Sequence, residues 1–163
     1  MKKEVIIRKA GIGDVTTIKH IINGHAAHGL MRPKSVDRLT EVLPNYFVAE
    51  VAGAVIGVCG FKIWASDGVE LISSAVRSEY HRQGIGAALN KACIDNCLTI
   101  GFRRFFVLTK QPEFYAALGF IEVKKTELQA KVFIDCGGCP ENEATDPGQV
   151  VCSDIAMVLE IED

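Results

Sequence analysis

The sequence predicts an α/β fold class, an α+β mixed sheet with helices on both faces, and three observations carry that expectation. Short alternating apolar runs interleave with segments of helical period. Gly and Pro punctuate the joins between them, and no internal repeat interrupts the alternation. Val5 to Arg8 reads as the first strand. Asp14 is placed to cap a helix whose apolar stripe is Val15, Ile18, Ile21, Ile22 and Ala26. Ser35 is placed to cap a second helix running through Leu43 and stopped before Pro44. Tyr46 to Val51 and Ala54 to Trp64 form an expected hairpin turning at Ala52-Gly53, followed by a strand from Val69 to Val76. A helix begins near Ile85, buries Ile85, Ala88, Leu89, Ala92 and Cys93, and stops at Gly101. Phe102 to Thr109 is rich in strand-forming residues, and Pro112 opens a short helix ending at Gly119. Phe120 to Lys124 and Ser153 to Ile161 complete the predicted strands.

The chain has 163 residues, 48% hydrophobic and 23% charged, which suits a single domain over residues 1–163 with a real core. A Cys-containing loop at about 135–152 is expected before the last strand. The formal net charge of −2 lacks the basic excess of a nucleic-acid grip, so no nucleic-acid partner is expected. The longest nearly apolar run, Ala52 to Phe61, is far short of the ~20 residues that span a bilayer. The charged N-terminal segment is unlike a signal peptide, and the expectation is a cytoplasmic protein without a membrane partner.

Chemistry concentrates in Val76-Arg-Ser-Glu-Tyr-His-Arg-Gln-Gly-Ile-Gly-Ala-Ala-Leu89, which joins a strand to a helix through Gly84 and Gly86. The first N–H groups of a helix have no intrahelical partners, and the helix dipole adds positive potential there. Together they form a receptor for phosphate or pyrophosphate. Glycine keeps side chains from holding the ligand off the backbone. His81 and Arg82 add donors. The P-loop Lys-Ser/Thr and the three-glycine dinucleotide spacing are both missing, and Gly11-Ile-Gly13 reads as an ordinary turn.

Tyr80-His-Arg-Gln-Gly-Ile-Gly86 resembles the acetyl-CoA loop of the GNAT acetyltransferases, usually written Gln/Arg-x-x-Gly-x-Gly/Ala. Phe114-Tyr-Ala-Ala-Leu-Gly-Phe120 is similar to that family's Tyr-x-x-x-Gly-Phe segment and follows in the expected order. The departures are His81 at the Gln/Arg position and Arg82 where glycine is common. The resemblance covers about residues 3 to 125 and implies a GNAT fold: a mostly antiparallel sheet with a splay between strands 4 and 5. It implies acetyl-CoA as co-substrate, bound by His81, Arg82, Gln83, Gly84, Ile85, Gly86 and Ala87, by Ala75 and Val76 backbone, and by Thr109. The Val76 N–H would polarise the thioester carbonyl and Tyr115 would protonate the leaving thiolate. Phenol at about 10 is a weak acid toward a thiolate near 8.5, so proximity must assist. Glu70 stands where some branches of the family place the base that deprotonates the amine. Many GNAT proteins form homodimers.

Gly29-Leu-Met-Arg-Pro-Lys-Ser35 and the later Cys136-Gly-Gly-Cys139-Pro140 with Cys152 together resemble the short stand-alone bacterial N-acetylglutamate synthases, the first enzymes of arginine biosynthesis. That implies L-glutamate as acceptor, with Arg32 and Lys34 as carboxylate ligands. Other small amines, a peptide N-terminus, a lysine side chain, and a silent CoA-binding module are the alternatives. Cys136, Cys139 and Cys152 are spaced like part of a structural zinc site that lacks an evident fourth ligand. Unligated thiols or a disulfide are the other readings.

Overall fold

The structure, a computed structural model, describes residues 2–136, 139–144 and 152–163. Its elements are β1 (Val5–Lys9), α1 (Val15–Ala26), α2 (Val36–Glu41), β2 (Tyr46–Val51), β3 (Ala54–Trp64), β4 (Gly68–Val76), α3 (Ile85–Thr99), β5 (Arg104–Thr109), α4 (Pro112–Ala117), β6 (Ile121–Val123), α5 (Gln129–Ile134) and β7 (Ile155–Glu160). The strands form a seven-stranded mixed sheet in the order β1-β2-β3-β4-β5-β7-β6. Of the expected Cys-containing loop at about 135–152, residues 137–138 and 145–151 lie outside the described residues. No described helix is long and apolar enough to cross a membrane.

The chain divides into two compact units, Met1–Phe61 with Leu71–Asn96, and Lys62–Glu70 with Cys97–Asp163. In the first, β1 pairs antiparallel with β2 from Val5↔Val51 to Lys9↔Phe47. The β2–β3 hairpin turns through Ala52 and Gly53 at φ 50° and 81°, a left-handed pair suited to a two-residue turn. Its core gathers Ile18, Ile22, Leu39, Tyr46, Val48 and Val58, all fully buried. Complete burial of one such aliphatic side chain stabilises by roughly 1.5–3 kcal/mol.

Asp14 does not cap α1 with its side chain as expected. Its two oxygens take Arg8 in a fork at 2.7 and 3.0 Å, and Oδ2 also accepts the Gly11 N–H at 2.7 Å. A two-point guanidinium–carboxylate fork outcompetes the single N–H bond of a helix cap. Ser35 does cap α2, accepting the Arg38 N–H at 3.1 Å. That helix ends at Glu41, earlier than expected, and Pro44 sits in a following 3-10 turn, Leu43–Asn45.

In the second unit β4 pairs parallel with β5 at Val69↔Phe105 and Glu70↔Phe106, while β7 runs antiparallel to both β5 and β6. Trp64, Phe106, Leu128, Ala156 and Val158 form its core. The sequence pattern did not announce α5, which has no side-chain cap of its own. Asp67, 64 residues earlier, accepts the Lys131 N–H at 2.7 Å and does that work. The strands β5, β6 and β7 are also shorter than expected, starting at Arg104, Ile121 and Ile155.

Candidate active site

In the first unit, β4 ends in a turn that is tied down at each step. The Arg77 N–H donates to Ile56 O at 2.9 Å, and the Val76 carbonyl accepts His81 Nε2–H at 2.6 Å. The peptide joining Val76 to Arg77 is therefore held at both its N–H and its C=O. A 3-10 turn, Ser78–Tyr80, follows. Then Arg82 and Gly84 both adopt left-handed backbone, at φ 61° and 77°. Such a conformation favours glycine and strains arginine by about 1–3 kcal/mol. A Cβ built on Gly84 meets nothing within 4 Å, so the backbone there faces open space. His81, Arg82, Gln83 and Gly84 are exposed, and α3 begins at Ile85. Open backbone ahead of a fifteen-residue helix is the arrangement that receives a diphosphate.

Asn90 braces this junction from within α3. Its Nδ2 donates to Gly86 O at 2.8 Å and to Ser74 Oγ at 2.9 Å, and its Oδ1 accepts the Cys59 thiol at 3.5 Å. Ser73 in β4 carries φ 55° and shares a 3.2 Å hydrogen bond with the buried Tyr46 hydroxyl. Ala75 is buried and Val76 half-buried. The His25 ring, near the end of α1, lies 6.3 Å from that of His81. Sequence reasoning singled out neither Ser73, Asn90 nor His25. An isolated polar residue in an apolar pattern was the single available signal, at Asn90.

Arg32 and Lys34 lie in the connection between α1 and α2, Arg32 exposed and Lys34 half-buried. Asn23 pins that connection, accepting the Lys34 N–H at 3.0 Å and donating to Lys34 O at 3.4 Å.

In the second unit, Tyr115 is buried in α4 and meets Phe114 and Phe120 edge-on, with ring centroids 4.9 and 5.3 Å away. Pro112 opens that helix, and Gly119 at φ 96° follows it. The Thr109 hydroxyl accepts the Gln111 N–H at 2.9 Å, shaping the turn from β5 into α4.

Glu70 is buried, 5% exposed, with Oε1 on Lys131 Nζ at 2.9 Å and Oε2 buried without a hydrogen-bond partner among the described residues. Desolvation pushes the Glu70 carboxyl above the ordinary carboxylate range, and Lys131 offsets part of that push. Burial works against the Lys131 charge, but Glu70 and Asp135 outweigh it and leave the ammonium more firmly protonated than usual. Lys131 also bonds Asp135, and its Nζ stands 5.7 Å from the Trp64 ring centroid. Lys131 and Asp135 are an i,i+4 pair, but no local spacing in the sequence links either to Glu70 or Trp64.

The zinc expectation finds no support. Among the described residues no group of three or more His, Cys, Asp or Glu side chains is placed to hold a metal ion. Cys136, Cys139 and Cys152 are free cysteines, joined in no disulfide. Burial pushes the Cys136 thiol up to about 11, which opposes the thiolate that zinc requires.

The GNAT acetyltransferase family matches residues 25–122, which include the whole glycine junction and the Tyr115 segment. The chain belongs to that family. GNAT membership makes it an acetyl-CoA-dependent acyltransferase. An uncharacterized N-acetyltransferase of Chlorobaculum tepidum is 32% identical over 155 residues, 95% of this chain and 96% of its own. An amino-acid acetyltransferase of Mycobacterium tuberculosis is 31% identical, covering 78% of this chain and 75% of its own. The N-acetylglutamate synthase of Neisseria gonorrhoeae, solved with coenzyme A and N-acetyl-glutamate, superposes with a TM-score of 0.82 at 23% identity. All of this chain is covered in that match, which spans 36% of the Neisseria chain, so the likeness concerns the GNAT fold.

Proposed function

We propose that the chain transfers acetyl from acetyl-CoA to the α-amino group of a small amino acid, with L-glutamate as the best acceptor. The observation that carries the donor half is the β4–α3 junction: left-handed Arg82 and Gly84, open space over Gly84, and the start of α3. His81, Arg82, Gln83, Gly84, Ile85, Gly86 and Ala87 bind the diphosphate of CoA, chiefly by backbone N–H groups. Ala75, Val76 and Thr109 hold the pantetheine arm.

The Val76 N–H stabilises the charge that develops on the thioester oxygen, and the clamp on the following peptide keeps that strand end in place. Tyr115 gives its proton to the departing thiolate. Glu70 takes the proton of the acceptor ammonium, directly or through water; its desolvated carboxyl makes it a stronger base than a surface glutamate.

The acceptor half is supported by the Mycobacterium tuberculosis relative, named an amino-acid acetyltransferase, and by the Neisseria structure with N-acetyl-glutamate. Arg32 and Lys34 supply cations suited to an acidic substrate, on a connection that Asn23 holds in one conformation. With this acceptor the product is N-acetyl-L-glutamate, an intermediate of arginine biosynthesis.

The deciding experiment measures thiol release from acetyl-CoA with L-glutamate beside a panel of amino acids, amines and peptides. Release with glutamate well above the panel is expected. Preference for a peptide or lysine would overturn the acceptor, and no release with any member would leave a CoA-binding module. Tyr115→Phe is expected to cut turnover about 100-fold while CoA affinity changes little. Unchanged turnover would remove Tyr115 from the acid role.

A further inference from the structure

The buried cluster around Glu70 is more elaborate than the role of a solitary base requires. Lys131 is gripped at both ends, its backbone N–H by Asp67 Oδ2 at 2.7 Å and its Nζ by Glu70 and Asp135. Glu70 in turn offers two unequal oxygens: Oε1 is on Lys131, and Oε2 is buried with no hydrogen-bond partner among the described residues. A buried carboxylate oxygen left without a partner is costly, so the fold retains an acceptor that something else must satisfy.

We propose that Lys131 is a positioning residue for acetyl transfer, holding Glu70 by Oε1 so that Oε2 is the oxygen that takes the proton of the acceptor amine. This rests on the reading of Glu70 as the base. In the step, an ammonium N–H bond breaks and an O–H bond forms at Oε2. The freed nitrogen lone pair forms a C–N bond at the thioester carbonyl. The C–S bond breaks as the CoA thiolate takes the Tyr115 proton, the surplus proton on nitrogen restores Tyr115, and Glu70 loses its proton to solvent.

The charged and titratable groups acting on Glu70 are Lys131 on α5, Asp135 and Cys136 just after it, and Lys62 on β3. Asp67, in the turn before β4, reaches the cluster through Lys131. The β5 register partner of Glu70 is the uncharged Phe106. Lys131 and Lys62 favour the carboxylate, and Asp135 disfavours it.

The test is the pH profile of kcat/KM for the acceptor, whose acid limb reports the base of the free enzyme. Lys131→Met is expected to raise that limb by about 1–3 pH units, and Lys131→Arg to return it toward the wild-type position. Asp135→Asn, which removes the opposing carboxylate, is expected to move it downward. Opposite shifts from two neighbours are a signature that simple loss of packing does not produce.

Glu70→Gln separates the two readings. If it turns over normally, the base reading falls. If it is inactive while Lys131→Met keeps the wild-type limb, Lys131 alone loses its role. Should Lys131→Met fail to fold, Asp135→Asn decides, and an unmoved or raised limb in that variant overturns the inference.

Discussion

At the β4–α3 junction the groups that matter are backbone supplied by one short run, His81–Gly86, exposed from His81 to Gly84. Around Glu70 they are side chains drawn from positions 62 to 135, of which Asp67, Glu70 and Lys131 are buried. The junction carries its geometry in its own residues: left-handed Arg82 and Gly84, a His81 ring on the carbonyl five residues back, and a helix start. The Glu70 cluster exists because Asp67 caps a helix that the local sequence does not cap, and because that helix brings Lys131 to a strand. A site made of backbone tolerates exposure, since water satisfies its N–H groups until a ligand arrives. A site made of buried charge needs every partner in place, because desolvation is repaid only by good pairing.

If that contrast is right, changes at the junction alter ligand binding at small structural cost, and changes in the cluster alter stability first. Gly84→Val is the most severe test. A β-branched residue at φ 77° is strained by about 1–3 kcal/mol, and its methyls fill the open space over Gly84 that the proposed diphosphate site uses. Loss of measurable CoA binding by calorimetry, with the fold retained, is expected; normal affinity would mean the loop is misassigned.

Gly68→Ala tests the other side. At φ 101° its new Cβ would lie 2.4 Å from the Arg104 carbonyl oxygen, so β4 and β5 must shift where they begin to pair. A loss of about 3 kcal/mol is expected, seen as a melting temperature lower by roughly 10 °C. CoA affinity below the transition should hold; an unchanged melting temperature would break the comparison. Asp67→Ala removes the distant cap of α5, and about 1–2 kcal/mol should go with it in a denaturant titration.

Asp14→Asn is the mildest. The Arg8 guanidinium, with the Gly11 N–H, holds the Asp14 carboxyl below its ordinary range despite partial burial. Its stabilisation, about 1 kcal/mol, is therefore present at neutral pH and lost as acid protonates the folded carboxylate. The stability gap between wild type and variant should be open at pH 7 and close progressively below about pH 4. A gap independent of pH would assign the effect to something other than charge.

Periodicity with the Gly and Pro punctuation placed β1, the β2–β3 hairpin, β4, α3 and α4 close to their observed bounds, because each is encoded by residues adjacent in the chain. The glycine junction and the Phe114–Phe120 segment, which carry the GNAT resemblance, were legible for the same reason: each is a contiguous run of residues. Asp14 was misread because its competitor for hydrogen bonding, Arg8, stands on a strand, and a local rule weighs the cap alone. The left-handed turn of Ser73 inside β4 left no trace, since serine is an ordinary strand residue until Tyr46 bonds it.

The sequence by itself determined the alternation of strands and helices, the glycine-containing junction between β4 and α3, and the membership in the GNAT family. Only the tertiary structure decided that Glu70 is buried, that Lys131 holds one of its oxygens while the other has no partner among the described residues, and that Cys136 is a desolvated thiol. Backbone conformation follows from steric terms that act over a few neighbouring residues. The charge state and aim of a buried side chain depend on which groups the fold brings against it, and those come from anywhere in the chain.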